Sequence, residues 1–228
     1  MPEINELMKK FHILFIAAFF ILFAQIVRGQ TAAPQEDTQS WNEVQIAIPV
    51  NKKLDLNVSG QLRFGRNISD FVDERVGIGF TYKPNKYLQF QPGYTYIVTQ
   101  PVRNRTAYEN RLNLPVTIIS PKFSGFTVSN RNLFERRLRK PINSWRYRNR
   151  LQIERTFKPR KFEFRLFASD EIFYDFSVKD WVRNRFTVGA GKPISRQLSF
   201  DVYYLRQNDG RSRPGDLHVI GTGLRVRF

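Results

Sequence analysis

From about residue 39 to the C-terminus, apolar and polar side chains alternate with a period of two. That period is the mark of a β-strand, because successive side chains leave opposite faces of an extended backbone. In one segment Leu54, Leu56, Val58, Leu62 and Phe64 share a face, and Asp55, Asn57, Ser59, Gln61 and Arg63 share the other. A later segment sets Trp145, Tyr147, Leu151 and Ile153 against Arg146, Arg148, Arg150, Gln152 and Glu154. The chain closes with Ile220, Leu224, Val226 and Phe228 on one parity and Gly221, Gly223, Arg225 and Arg227 on the other. Eleven strands are predicted: Gln39–Val50, Leu54–Arg66, Phe71–Lys83, Tyr87–Thr99, Thr106–Ile119, Phe126–Arg136, Trp145–Phe157, Phe162–Phe173, Trp181–Pro193, Leu198–Arg206 and Leu217–Phe228.

The second face of these strands is charged, which is wrong for a sandwich core and right for a wet lumen. The pattern therefore predicts an all-β chain forming a single antiparallel up-and-down transmembrane β-barrel over residues 39–228. Short turns are expected after the odd strands, as at Asn51-Lys52-Lys53 and Pro84-Asn85-Lys86, and longer polar links after the even ones, as at Arg137–Ser144 and Gln207–Asp216. Short periplasmic turns and longer outer loops are the barrel rule, so the last strand is expected to run toward the periplasm. Eleven is odd, whereas single-chain bacterial barrels are even. The expectation is ten to twelve strands with twelve favoured, unless residues 30–38 pass back through the lumen or hook over a rim.

The N-terminus predicts export. Lys9 and Lys10 precede an apolar run from Phe11 to Val27, and Val27 and Gly29 suit a signal-peptidase site. Residues 1–29 are then a signal peptide, with Met1 or Met8 as the start, and 30–38 a polar N-terminal segment. A retained anchor is the alternative, since the run is nearly long enough to span a bilayer. The sequence has no Cys, which excludes a lipoprotein anchor and disulfides.

Composition agrees with a barrel. The chain is 41% hydrophobic with 21 Phe and 9 Tyr, and aromatics sit near many predicted strand ends, as interfacial girdles would. The formal net charge is +17. The predicted signal holds three basic and two acidic residues, so about +16 stays with the exported part.

Much of that charge falls on the predicted lumen face. An Asn-Arg pair recurs at Asn104-Arg105, Asn110-Arg111, Asn130-Arg131, Asn149-Arg150 and Asn184-Arg185. Parity turns Arg63, Arg75, Arg111, Arg131, Arg150 and Arg185 inward at a similar expected depth, with Asp73, Glu109, Glu135, Glu154, Glu163, Glu171 and Asp201 on inward faces nearby. The planar fork of Arg pairs with carboxylate or phosphate at two points. Two readings stay open: a constriction that prefers anions, or a narrow barrel filled by Arg–carboxylate pairs.

A second basic cluster, Arg136, Arg137, Arg139 and Lys140, is expected in an outer loop. It could dock lipopolysaccharide phosphates or be a solvated loop. Arg spread through nine of the eleven predicted strands does not form the single basic stripe of a nucleic-acid binder. Beyond the signal the chain has one His, His218, so a His/Cys metal cluster is excluded and no cofactor is expected. A lipid-modifying hydrolase would have to use His218, yet no Ser stands beside it in a recognisable motif. No catalytic residue is assigned.

Trp41-Asn42, the repeated Arg-Asn-Arg at Arg148–Arg150 and Arg183–Arg185, Tyr203-Tyr204, and Asp216-Leu217-His218 followed by Gly221 and Gly223 resemble an uncharacterised family of outer-membrane barrels, domain of unknown function 2490. The resemblance spans about Gln39 to Phe228. It implies an outer-membrane barrel, and no activity or site residue. The expected function is a non-enzymatic structural or surface-docking barrel in the outer membrane, with a small anion-preferring pore as the alternative and a hydrolase using His218 as the second. Expected partners are outer-membrane lipid, including lipopolysaccharide, and the barrel-assembly machinery, through a last strand ending in Phe228.

Overall fold

The computed structural model describes residues 36–102, 104–159 and 162–228. The predicted signal peptide and residues 30–35 lie outside them. Twelve strand segments form one closed sheet: β1 (Glu36–Asn51), β2 (Leu54–Gly65), β3 (Asp70–Asn85), β4 (Leu88–Phe90), β5 (Gly93–Val102), β6 (Arg105–Ile119), β7 (Phe126–Arg139), β8 (Ser144–Phe157), β9 (Phe164–Asp175), β10 (Asp180–Pro193), β11 (Leu198–Asp209) and β12 (Asp216–Arg227). β4 and β5 are one stave broken at Gln91-Pro92, so the barrel has eleven staves, each overlapping one predicted strand. At the break Pro92 has no N–H to give the ladder, and its carbonyl instead accepts from Phe80 N at 3.0 Å. The backbone comes so close to β3 there that a Cβ on Gly79 would lie 2.6 Å from the Pro92 oxygen, which is why a glycine stands at 79.

Eleven lies within the expected ten to twelve, one below the favoured twelve, and the sheet is not wholly antiparallel. With an odd number of alternating staves the first and last run the same way, so closure has to be parallel. β1 pairs with β12 in parallel from Glu36↔Asp216 to Ala47↔Arg227. The seam is braced on both faces of the wall. Arg206 reaches Glu36 at 3.1 Å, Thr222 Oγ1 donates to Asn42 at 2.8 Å, and Arg227 bridges over β1 to Asp55 at 2.7 and 2.8 Å. Residues 36–38, expected in the polar N-terminal segment, are the first of β1 and extend the seam.

The predicted contrast in loop length is absent. Between consecutive staves two to six residues intervene at both rims, because the strands run on through Arg139 and Asp209, where long loops were expected. The rim holding the links 66–69, 140–143, 176–179 and 210–215 is termed upper, and the rim holding Phe228 lower. Large apolar side chains such as Val76, Ile78, Leu112, Leu114 and Ile118 stay exposed on the outward wall, where only lipid can cover them. Aromatics collect toward each end of that wall. Phe134, Tyr147, Tyr174 and Trp181 interlock toward the upper rim, with centroids 5.0–6.3 Å apart. Phe157 stacks on Phe164 at 5.2 Å near the lower rim.

Candidate functional site

Alternation splits every Asn-Arg repeat that lies within a strand. The arginines of Asn110-Arg111, Asn130-Arg131, Asn149-Arg150 and Asn184-Arg185 turn into the lumen, and the asparagines turn out to the wall. Hydrocarbon offers those amides no partners, so they bond laterally. Asn130 and Asn149 exchange hydrogen bonds of 3.1 Å, and Asn184 donates to Asp170 at 2.8 Å. Asn104 lies in an upper link at φ 62°.

The upper lumen is filled. Glu135, 1% exposed, accepts from Arg146 at 2.5 Å, Arg148 at 2.9 Å and Arg111 at 3.4 Å. Glu109 binds Arg137 with both oxygens, at 2.9 and 2.7 Å, and Arg111 at 2.7 Å. Glu171 takes Arg148 at 2.7 and 3.2 Å and Arg131 at 2.6 Å. Asp73 holds Arg75 at 2.6 Å, with Arg63 at 3.6 Å. Most of these pairs tie consecutive strands together, and Arg131 on β7 reaches over β8 to Glu171 on β9, so the network clamps this part of the wall from inside.

Aromatic rings take up several of the guanidiniums as well. Phe173 is fully buried, with the guanidinium carbons of Arg146, Arg148, Arg183 and Arg185 at 4.5–5.4 Å from its centroid. Trp41 lies between Arg63 at 3.6 Å and Arg185 at 4.9 Å and donates from Nε1 to Gln39 at 2.8 Å. It packs with Leu205, Leu217, Val219 and Tyr203. Tyr203 lies flat across Gly221 on β12, where a Cβ would collide with its ring. Site prediction from charge alone passed over Trp41 and Phe173. Parity carried the signal, since Phe173 shares its face with Glu171.

The lower lumen is hollow. A cavity of about 610 Å³ extends to the lower rim, lined mostly by small or neutral residues such as Ser59, Gly77, Thr81, Thr95 and Asn113. Its charged lining is Arg131, Arg196, Arg225 and Arg227 against Glu43.

All ten residues expected in the belt lie on the lumen face, yet not at one depth. Arg63 is two residues below the upper end of β2, and Arg131 is eight below that of β7. Barrel strands tilt, so a register row climbs the wall. One such row runs Arg131, Arg150, Glu171, Arg185 and Gln207 across five neighbouring strands.

The outer-loop cluster is corrected too. β7 continues to Arg139 and distributes it. Arg137 points inward to Glu109, Arg136 lies over the outward Trp145 ring at 5.3 Å, and Arg139 and Lys140 are exposed at the upper rim. Glu163, expected inward, lies in a lower link and pairs with Lys158 at 2.9 Å. His218 is on the outward wall, 2.7 Å from the Tyr204 hydroxyl and 2.5 Å from Arg206. Among the described residues no group of three or more metal-ligating side chains converges.

A family model described as "Protein of unknown function (DUF2490)" matches residues 38–218. Among solved structures the fold is similar to LpxR from Salmonella typhimurium, with 11% identity, a TM-score of 0.48, and 77% of this chain and 83% of that one covered. It is also similar to the NanC porin, with 12% identity, a TM-score of 0.45, and 80% and 93% covered. A comparison with curated protein sequences found no match.

Proposed function

The chain belongs to the DUF2490 family, and from its geometry we propose that it is a non-enzymatic barrel of the outer membrane, closed to ion flow and acting as a structural or surface-docking element. One observation carries this reading. Glu135 is buried among three guanidiniums, and Phe173 and Trp41 are buried on the same lumen face, which supports an upper lumen without an open passage. Ion pairs held this way are hard to part, because breaking one strands a charge in a medium of low dielectric. The aromatic belts seat the outward wall in lipid, with Arg136, Arg139 and Lys140 available to lipopolysaccharide phosphates at the upper rim. The strand ending in Phe228 is the element offered to the assembly machinery.

A non-enzymatic role is favoured by the surroundings of His218. Both ring nitrogens face other side chains, Tyr204 and Arg206, and among the described residues no serine or threonine hydroxyl bonds to it. The second reading, an anion-preferring pore, draws on the lower cavity, whose charged lining is four arginines against Glu43.

Single-channel recording of the refolded barrel across a salt gradient separates the two. Inserted, folded and silent protein is expected. Steady conductance with anion preference would establish the pore instead, and Glu135→Ala should then widen it.

A further inference from the structure

Arg131 and Arg150 stand opposite each other on β7 and β8, both turned into the lumen. Side chains so paired have Cβ atoms about 5 Å apart, and like charges there repel. The next residue in the row is Glu171, whose two oxygens already accept from Arg131 and twice from Arg148. Around it, Arg111, Arg131, Arg137, Arg146, Arg148 and Arg150 stand against four carboxylates, those of Glu109, Glu135, Glu171 and, at 3.9 Å from Arg137, Asp175. The deficit is concentrated on one pair. Among the described residues the guanidinium of Arg150 makes no hydrogen bond, ion pair or ring contact. Arg131 has a buried Nε with no partner, although its Nη2 is bound to Glu171. Arg185, which among the described residues also makes no ion pair, differs, because it donates to Gln207 and lies over Trp41 and Phe173.

Arg131 also lines the lower cavity, and Arg150 is its register partner on β8, so this uncompensated pair stands beside the inner end of a passage reaching the lower rim. Buried donors without acceptors are costly, and two forked cations side by side match an anion with several oxygens. Phosphate fits better than carboxylate. It offers enough oxygens to meet both guanidiniums together, and as a dianion it offsets both charges. Glu43 across the lumen opposes an anion, but among the described residues it makes no ion pair within 4 Å, and its oxygen already accepts from Gln45 at 2.6 Å.

We infer that the Arg131–Arg150 pair is a binding site for the phosphate group of a small soluble molecule entering from the lower rim. The site goes beyond the structural role proposed above and is independent of whether the barrel conducts.

Titration of inorganic phosphate into the folded barrel in detergent micelles, in chloride-free sulfonate buffer with calorimetric readout, tests this. One saturable site per barrel is expected. Arg150→Gln and Arg131→Gln should each weaken it at least tenfold, and Arg196→Gln, at the cavity's outer edge, should leave it within twofold. Phosphate should raise the melting temperature of the wild type and not that of Arg150→Gln, which without phosphate should be at least as stable as the wild type. If that variant does not fold, Arg150→Lys keeps the charge, loses the fork and should bind severalfold more weakly. No saturable binding to the folded wild type, or equal binding by the folded Arg150 and Arg131 variants, overturns the site. A silent barrel that binds no phosphate overturns the site alone, and a conducting barrel that binds it overturns only the closed-barrel reading.

Discussion

Arg63 and Trp41 face each other across the β1–β2 pair, with the guanidinium carbon 3.6 Å from the indole centroid. Their contact joins the polar and apolar parts of the plug, because Trp41 also packs on Leu205, Leu217 and Val219. Replacing Trp41 by Ala removes a buried ring and two cation contacts, and should cost about 3–5 kcal/mol. Trp41→Phe keeps a ring and loses the Nε1–H bond to Gln39, a smaller loss of about 1 kcal/mol. Urea unfolding followed by heat-modifiable gel mobility measures both.

Glu135 pairs with three arginines at once. Glu135→Gln should destabilise the barrel by about 3–5 kcal/mol, the range for uncovering a buried charge. Glu163→Gln at the exposed Lys158 pair should change stability by less than about 1 kcal/mol. Equal effects from the two in the same urea assay would mean that the lumen is wet enough to screen its charges.

The parallel seam predicts which cysteines can meet. Asn42 pairs with Thr222 and Ile46 with Val226. With no native Cys to interfere, the double variants Asn42→Cys with Thr222→Cys and Ile46→Cys with Val226→Cys should each cross-link on mild oxidation. Antiparallel closure could satisfy one pair in one register but would pair Asn42 with Val226 when it brought Ile46 to Thr222. Cross-linking of those swapped pairs instead would refute the seam.

Gly221 and Tyr203 are in register on β12 and β11, and the tyrosine ring occupies the space of the missing side chain. Gly221→Val should therefore cost about 1–3 kcal/mol through overpacking. The double variant with Tyr203→Ala should recover part of that loss, since the two residues contact each other and are not independent. A double-mutant cycle by urea unfolding reads the coupling.

Legibility from sequence ended at particular residues. The alternation around Arg63 or Arg150 is local to a few residues of extended chain, so all ten belt residues could be assigned to the lumen face before any strand was paired. Arg137 was misplaced in a loop because the strand boundary was drawn at Arg136, although Arg137 continues the parity of Arg131 and Glu135. Phe173 and Trp41 stand on the polar parity of their strands, with Glu171 and with Gln39 and Glu43, a signal that charge alone does not register.

The sequence by itself determined the strands and their two faces, because side-chain direction in an extended chain repeats every two residues whatever lies beside it. Only the tertiary structure decided closure, pairing and space. The parallel β1–β12 seam follows from the number of staves. The partners of Glu135 follow from the tilt that brings β6, β7 and β8 to common points in the lumen. The contrast between a packed upper and a hollow lower lumen depends on which inward side chains share a level, small ones such as Gly77 and Thr95 or large ones such as Arg146 and Phe173. That level is set by register across the whole barrel, a long-range quantity that no local pattern records.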